Sequence, residues 1–326
     1  MSNSDGRTLV SQAPIIDLSK PRYDQSTYIG RASHFFEVTD PRNVLLSAKQ
    51  LHKAKELLAL YKEGRAPANT TVDDIWKAKR QYSSAFHPDT GELMFLPGRM
   101  SFQVPGNMVI TGLMMTFYRA PSAVIFWQWM NQSFNAGVNY TNRSGEAISV
   151  RNLAIPYVCA TGGAVTSALA MNRMSKYVPS LIGRYVPYFA VAIANCINIP
   201  MIRQKEIREG IDIKDSEGNE LGKSKVAAKK AISQVVLSRI AMAGPSMMLT
   251  PVIMEVLEKK TTILKRWPVF NAPIQIFFVG FFLAFATPMC CAIFPQQSSI
   301  SVSKLEKEVQ STIPSDVRTV YFNKGL

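Results

Sequence analysis

WPVFNAPIQIFFVGFFLAFATPMCCAIFPQQSSISVS, from Trp267 to Ser303, contains no Asp, Glu, Lys or Arg. About 20 mostly apolar residues in a helix cross a hydrocarbon core of about 30 Å, and 270–293 fits that requirement. The pattern repeats upstream. Ala231 to Met254 holds only Arg239, and four more runs hold no charge: Tyr185 to Ile202, Asn152 to Asn172, Ala120 to Asn142 and Met100 to Tyr118. Successive runs of this length do not suit a soluble core. Spans are placed at 101–119, 152–172, 181–201, 232–254 and 270–293. The expected fold is all-α: a polytopic helical membrane protein with about five transmembrane helices and a helical N-terminal region.

Whole-chain averages hide this segregation. The 326 residues are 47% hydrophobic and 18% charged, with a net charge of 37 − 23 = +14 and a mean hydropathy of +0.03. Up to Arg99 the chain carries 14 basic and 11 acidic residues, so 1–99 reads as a polar region, 100–295 as the membrane domain and 296–326 as a tail. The loop 203–230, with eight basic and six acidic residues, belongs in water. Basic residues outside the spans suit anionic lipid rather than nucleic acid. In the tail, Val302, Leu305 and Val309 stand at helical spacing, which predicts a short amphipathic surface helix.

In the polar region, Ser47 and Gln50 form a capping box before the stripe Leu51, Ala54, Leu57, Leu58 and Tyr61, and Gly64 stops the helix. A second helix starts near Thr71 and carries Val72, Ile75, Trp76 and Tyr82. Its stripe is expected to dock on the membrane domain. The first residues have no apolar core and carry Asp5 and Asp17 beside Arg7, so no cleavable presequence is expected. The four cysteines, all in apolar runs, read as buried small hydrophobes. Three histidines and no CxxC leave too little material for a metal site or cofactor.

The segment APSAVIFWQWMNQSFNAGVNYTN, 120–142, is uncharged but rich in amides. On a helix advancing about 100° per residue, Gln128, Asn131, Gln132, Asn135, Asn139 and Asn142 share a sector about 100° wide. Trp127, Met130, Phe134 and Val138 lie on another side. Neutral amides donate and accept without the penalty of a buried charge, which suits a zwitterionic or hydroxylated solute. Two other readings stay open: an interfacial helix with amides toward water, and amide packing between helices.

Asn195 and Asn198 share a face three residues apart, with Pro200 close behind, as in helices broken around a transport site. Arg239 costs about 2.5–3.5 kcal/mol at a span centre, so it faces either a substrate carboxylate or structural carbonyls. His87, Pro88, Asp89 and Thr90 precede Gly91, a sequence suited to a turn, with gating as the alternative. GNELGKS, 218–224, imitates a phosphate loop but has Glu217 where the first glycine belongs. No catalytic constellation appears, and no enzyme is expected.

HPDTGE (87–92), GRMSFQVPGNMVITGLMMTFYR (98–119), FWQWMNQSFNAGVNYTNRSG (126–145), LIGRYVP (181–187), ANCINIP (194–200) and YFNKGL (321–326) together resemble the sideroflexin family. The resemblance implies a five-span protein of the mitochondrial inner membrane that carries small neutral amino acids, serine above all and also alanine or cysteine, supplying one-carbon metabolism. It also admits an assembly factor for a respiratory complex, binding protein partners through the N-terminal region or loop 203–230. A carrier linked to tricarboxylates or iron is a third reading. Tricarboxylates call for several cations along the path, and metal transport for grouped carboxylates, His or Cys.

Overall fold

The computed structural model describes residues 16–18, 20–87, 90–118, 120–141, 150–174, 177, 179 and 183–325. Its main helices are α1 (Tyr28–Val38), α2 (Ala48–Lys62), α3 (Val72–Ala85), α4 (Gln103–Phe117), α5 (Pro121–Thr141), α6 (Val150–Met174), α7 (Val186–Ile202), α8 (Gln204–Glu209), α9 (Lys225–Lys260), α10 (Asn271–Cys291) and α11 (Lys307–Gln310). Four strands accompany them: β1 (Ile211–Lys214), β2 (Glu220–Ser224), β3 (Gln297–Ser301) and β4 (Thr319–Asn323). The chain divides into two compact units, one of residues 1–106 with 137–146, the other of 107–136 with 147–326.

In the first unit, the Ser47 hydroxyl accepts from the Gln50 amide and the Gln50 side chain accepts from the Ser47 amide, closing the capping box that starts α2. Thr71 and Asp74 do the same for α3. The stripes of the two helices pack on each other: Ala54 and Leu58 meet Ile75 and Ala78, with Leu57, Tyr61 and Tyr82 at the edge. The expectation that they dock on the membrane domain is corrected by this small core of their own. Leu51, Ala85 and Phe86 extend it.

In the second unit, α6 packs on α7, α7 on α9 and α9 on α10. Met114, Tyr118, Val124, Ala168, Val186, Ala190 and Met247 form one buried cluster drawn from α4 to α9. Where α4 crosses α10, glycine sets the distance. A Cβ on Gly112 would lie 2.8 Å from the Ile276 Cα, and one on Gly280 would lie 2.7 Å from the Met108 sulfur. Lys225–Lys260 and Pro268–Cys291 are long and apolar enough to cross a membrane, and Val186–Ile202 is a shorter apolar helix. Facing away from the core, Phe277, Phe281 and Phe285 recur every four residues at 63%, 51% and 49% exposure, while Val279, Leu283 and Ala286 are buried. An apolar ladder left outside this way suits lipid, not water.

The chain is mostly helical, but the all-α expectation is corrected by an antiparallel sheet of order β2-β1-β4-β3. Loop 203–230 folds into α8, the β1–β2 hairpin and the first turn of α9. The Asp215 carboxylate accepts from the Glu217 and Asn219 amides and so fixes the hairpin turn. The tail expected as an amphipathic helix contributes β3 and β4, and only Lys307–Gln310 is α-helical. Period two decides the matter: Ser298 and Ile300 on β3, and Val320 and Phe322 on β4, point to the buried face. Leu305 caps the same core, which the sheet builds against Ala227 and Ala231 of α9. At 36 residues, α9 is about 54 Å long by its rise per residue, so its first turns are free to serve the sheet.

A buried amide seam as candidate functional site

Helix α5 is turned inside out. Gln128 is fully buried, and Asn131 and Gln132 are nearly so, whereas Ile125, Phe126 and Trp129 are about half exposed. The amide sector therefore faces protein, and the reading with amides toward water is corrected. On the other side named from the sequence, Trp127, Met130 and Phe134 are half-buried and Val138 is buried.

Gln128, Gln132 and Asn198 are each held at one end. Gln128 Nε2 donates to the Tyr118 hydroxyl at 2.9 Å and reaches the Met114 sulfur at 3.8 Å. Asn198 Nδ2, on α7, donates to Gln132 Oε1 at 2.6 Å. The structure thus brings together two residues from separate sequence motifs. Ser133 and Tyr157 add a hydroxyl pair at 2.7 Å between α5 and α6.

The other ends are open. Among the described residues, Gln128 Oε1 and Asn198 Oδ1 are buried with no partner, as are the hydroxyls of Thr161 on α6 and of Ser238 and Thr250 on α9. Helical Ser and Thr usually turn back onto a carbonyl of the preceding turn, as Thr116 does onto Gly112. An unpaired buried polar group costs about 1–3 kcal/mol. Five of them lie on helices of the second unit. The two amide oxygens accept, and the three hydroxyls donate or accept.

The remaining sequence candidates make no hydrogen bond to these amides among the described residues. Asn135 and Asn195 are half-buried, and Asn142 and the Asn139 side chain lie outside the described residues. Arg239 is half-buried on α9, and among the described residues no hydrogen bond joins it to the amides. His87 is buried, its Nδ1 accepting from the Thr90 amide at 3.3 Å and its carbonyl from Gly91 at 2.9 Å. These are turn contacts. Pro88 and Asp89 lie outside the described residues. Cys159 and Cys196, expected buried, are exposed. Tyr118, Thr161, Ser238 and Thr250 escaped the sequence reading, although each is a polar group in a nearly uncharged run.

No group of three or more metal-ligating side chains occurs among the described residues, and no solved structure matches the chain. Residues 17–326 match the family described as Sideroflexins. Human Sideroflexin-1 is 59% identical over 317 residues, 96% of this chain and 98% of its own length. Mouse Sideroflexin-1 gives the same figures. Mouse Sideroflexin-3 is 56% identical over 315 residues, 95% and 98% of the two chains. With end-to-end similarity at this level, the chain belongs to the sideroflexin family.

Proposed function

We propose that this protein carries a small neutral amino acid, serine foremost, across the mitochondrial inner membrane, and that the amide seam is its path. Family membership supports a general role in mitochondrial amino-acid transport rather than catalysis. The observation that carries the finer reading is the set of unpaired buried atoms on Gln128, Asn198, Thr161, Ser238 and Thr250. A zwitterion with a hydroxyl brings ammonium and hydroxyl donors to such acceptors and a carboxylate to the hydroxyl donors. Uncharged lining groups avoid the far larger penalty of a buried, unpaired charge while the path is empty. Helices α4, α6, α7, α9 and α10 are the five spans of this reading, with α5 lying among them. The exposed phenylalanines of α10 face lipid.

Purified protein in liposomes should take up labelled serine, with alanine and cysteine competing and citrate and ferrous iron not. Uptake no greater than in empty vesicles, from a folded preparation, removes the proposal. Leucine at Gln128 and Asn198 together should abolish uptake while leaving insertion intact.

A further inference from the structure

Helix α9 and the segment Pro268–Cys291, which contains α10, are long and apolar enough to cross a membrane, and they pack side by side. Residues 261–267 join them. Lipid-exposed irregular backbone is not tolerated in hydrocarbon, so a connector this short between two spans lies at one bilayer surface. It is basic and apolar at once. Lys259 to Leu305 contains no acidic residue. The two acids just upstream are taken: Glu255 pairs with Lys259 at 2.6 Å and Glu258 with Arg184 at 2.7 Å. Lys260, Lys265 and Arg266 are exposed and have no ion pair among the described residues. Trp267, Val269 and Phe270 follow at 56%, 72% and 47% exposure. Exposure alone does not set them apart, since Val158 is as open; three cations on the same connector do. Phe270 then leads into the exposed ladder Phe277, Phe281 and Phe285 of α10.

We propose that the α9–α10 connector binds an anionic phospholipid, its phosphate against Lys260, Lys265 and Arg266 and its acyl chains along Phe270 and the phenylalanine ladder. This rests on the reading that α9 and α10 span the membrane. The occupant is a lipid because one molecule then satisfies cations at the surface and apolar side chains just below them, whereas a soluble anion covers only the cations. Ammonium and guanidinium groups suit phosphate oxygens, Arg266 through paired N–H donors. Trp267 belongs between the two, where an indole ring sits at headgroup level with its N–H free to donate. A zwitterionic headgroup offers the three cations no net charge, so headgroup charge is the selective feature. The sheet packs on the first turns of α9, and the lipid serves the opposite end of that helix.

The test counts lipid retained by the full-length protein in detergent when phosphatidylglycerol and phosphatidylcholine are offered in equal amounts, read by native mass spectrometry. Wild type should retain roughly tenfold more phosphatidylglycerol. Lys260→Gln, Lys265→Gln and Arg266→Gln combined should equalise the two lipids. Lys49→Gln, Lys53→Gln and Lys62→Gln, exposed on α2, should leave the preference intact. A preference unchanged in the connector variant, or lost equally in the α2 variant, overturns the site. Displacement of the lipid by excess glycerol phosphate shows a site for the anion alone and also overturns it. If the triple connector variant does not fold, Lys265→Gln and Arg266→Gln singly should each lower the preference, and the same outcomes decide. A nitroxide on Phe281→Cys in proteoliposomes, with the four native cysteines replaced by serine, should favour oxygen over a nickel chelate. A nickel-favouring label there overturns the span reading and the lipid site with it. Selective lipid retention without serine uptake overturns the transport reading alone.

Discussion

The Lys324 ammonium donates to the Phe294 carbonyl at 2.8 Å and to the Cys291 carbonyl at 3.1 Å, although it is only 3% exposed. The Cys291 carbonyl is at the end of α10, where the helix dipole leaves partial negative charge, and Phe294 follows three residues later. The Lys324 carbonyl in turn accepts from Arg203 Nη1 at 2.7 Å, just past the end of α7. Residues following β4 therefore tie two apolar helices together at one end. Lys324→Met removes the one ammonium that makes both bonds and strands the two acceptors, costing about 2–3 kcal/mol. The unfolding midpoint in detergent should fall, and limited proteolysis should release the C-terminus first. Lys324→Arg should recover part of the loss. An unchanged midpoint in Lys324→Met would show that the contacts are incidental.

The Asn198–Gln132 bond allows packing to be separated from transport. Either single leucine substitution leaves a buried amide unpaired, at about 1–3 kcal/mol. Gln132→Leu with Asn198→Leu replaces the pair by apolar contact, so the double variant should melt closer to wild type than either single. Serine uptake should stay low in all three, by roughly an order of magnitude, a factor worth about 1.4 kcal/mol. Uptake restored together with stability would make the pair structural glue only.

How much of this was legible beforehand depended on whether the signal was local. Ser47 with Gln50, and Thr71 as a cap, are contacts across three residues, so the spacing alone reveals them. The amide face of α5 was visible for the same reason, because one helix fixes its own angles. Its direction was not: whether Gln128 meets Tyr118 or water depends on neighbours the spacing does not name. The sheet was hidden more deeply. Lys214 pairs with Tyr321 and Ser299 with the same Tyr321, joining segments about a hundred residues apart. Each strand is only four or five residues long, too short for a period-two signal to outweigh the helical spacing of Val302, Leu305 and Val309.

Glycine placement gives a paired test. Gly112→Ala puts a methyl 2.7–2.8 Å from Ile276, including its backbone, so α4 and α10 must separate, at about 1–3 kcal/mol. Gly162→Ala, on α6, meets nothing within 4 Å and gains helix propensity of up to about 1 kcal/mol. The first should lower the melting midpoint and the yield of inserted protein. The second should leave both equal or higher. Equal effects at the two sites would mean that the α4–α10 crossing is looser than the contacts indicate.

Glu306 links the sheet to the start of α9 and makes that junction sensitive to acid. Burial alone would raise its carboxyl. The backbone amides of Glu306, Val226 and Lys225 and the Ser224 hydroxyl outweigh burial and hold it below its ordinary value of 4.5. Val226 donates to Oε1 and Ser224 to Oε2, both at 2.8 Å, and Ser224 also accepts from the Ala227 amide to cap the helix. A carboxyl depressed on folding contributes its stability fully above the unfolded value. That contribution disappears as the pH falls through the folded value. Glu306→Gln removes the titration. The gap between wild-type and Glu306→Gln melting midpoints should therefore be widest above about pH 5 and close progressively in more acidic buffer. A gap that stays constant with pH would show that Glu306 acts through shape and hydrogen bonding rather than charge.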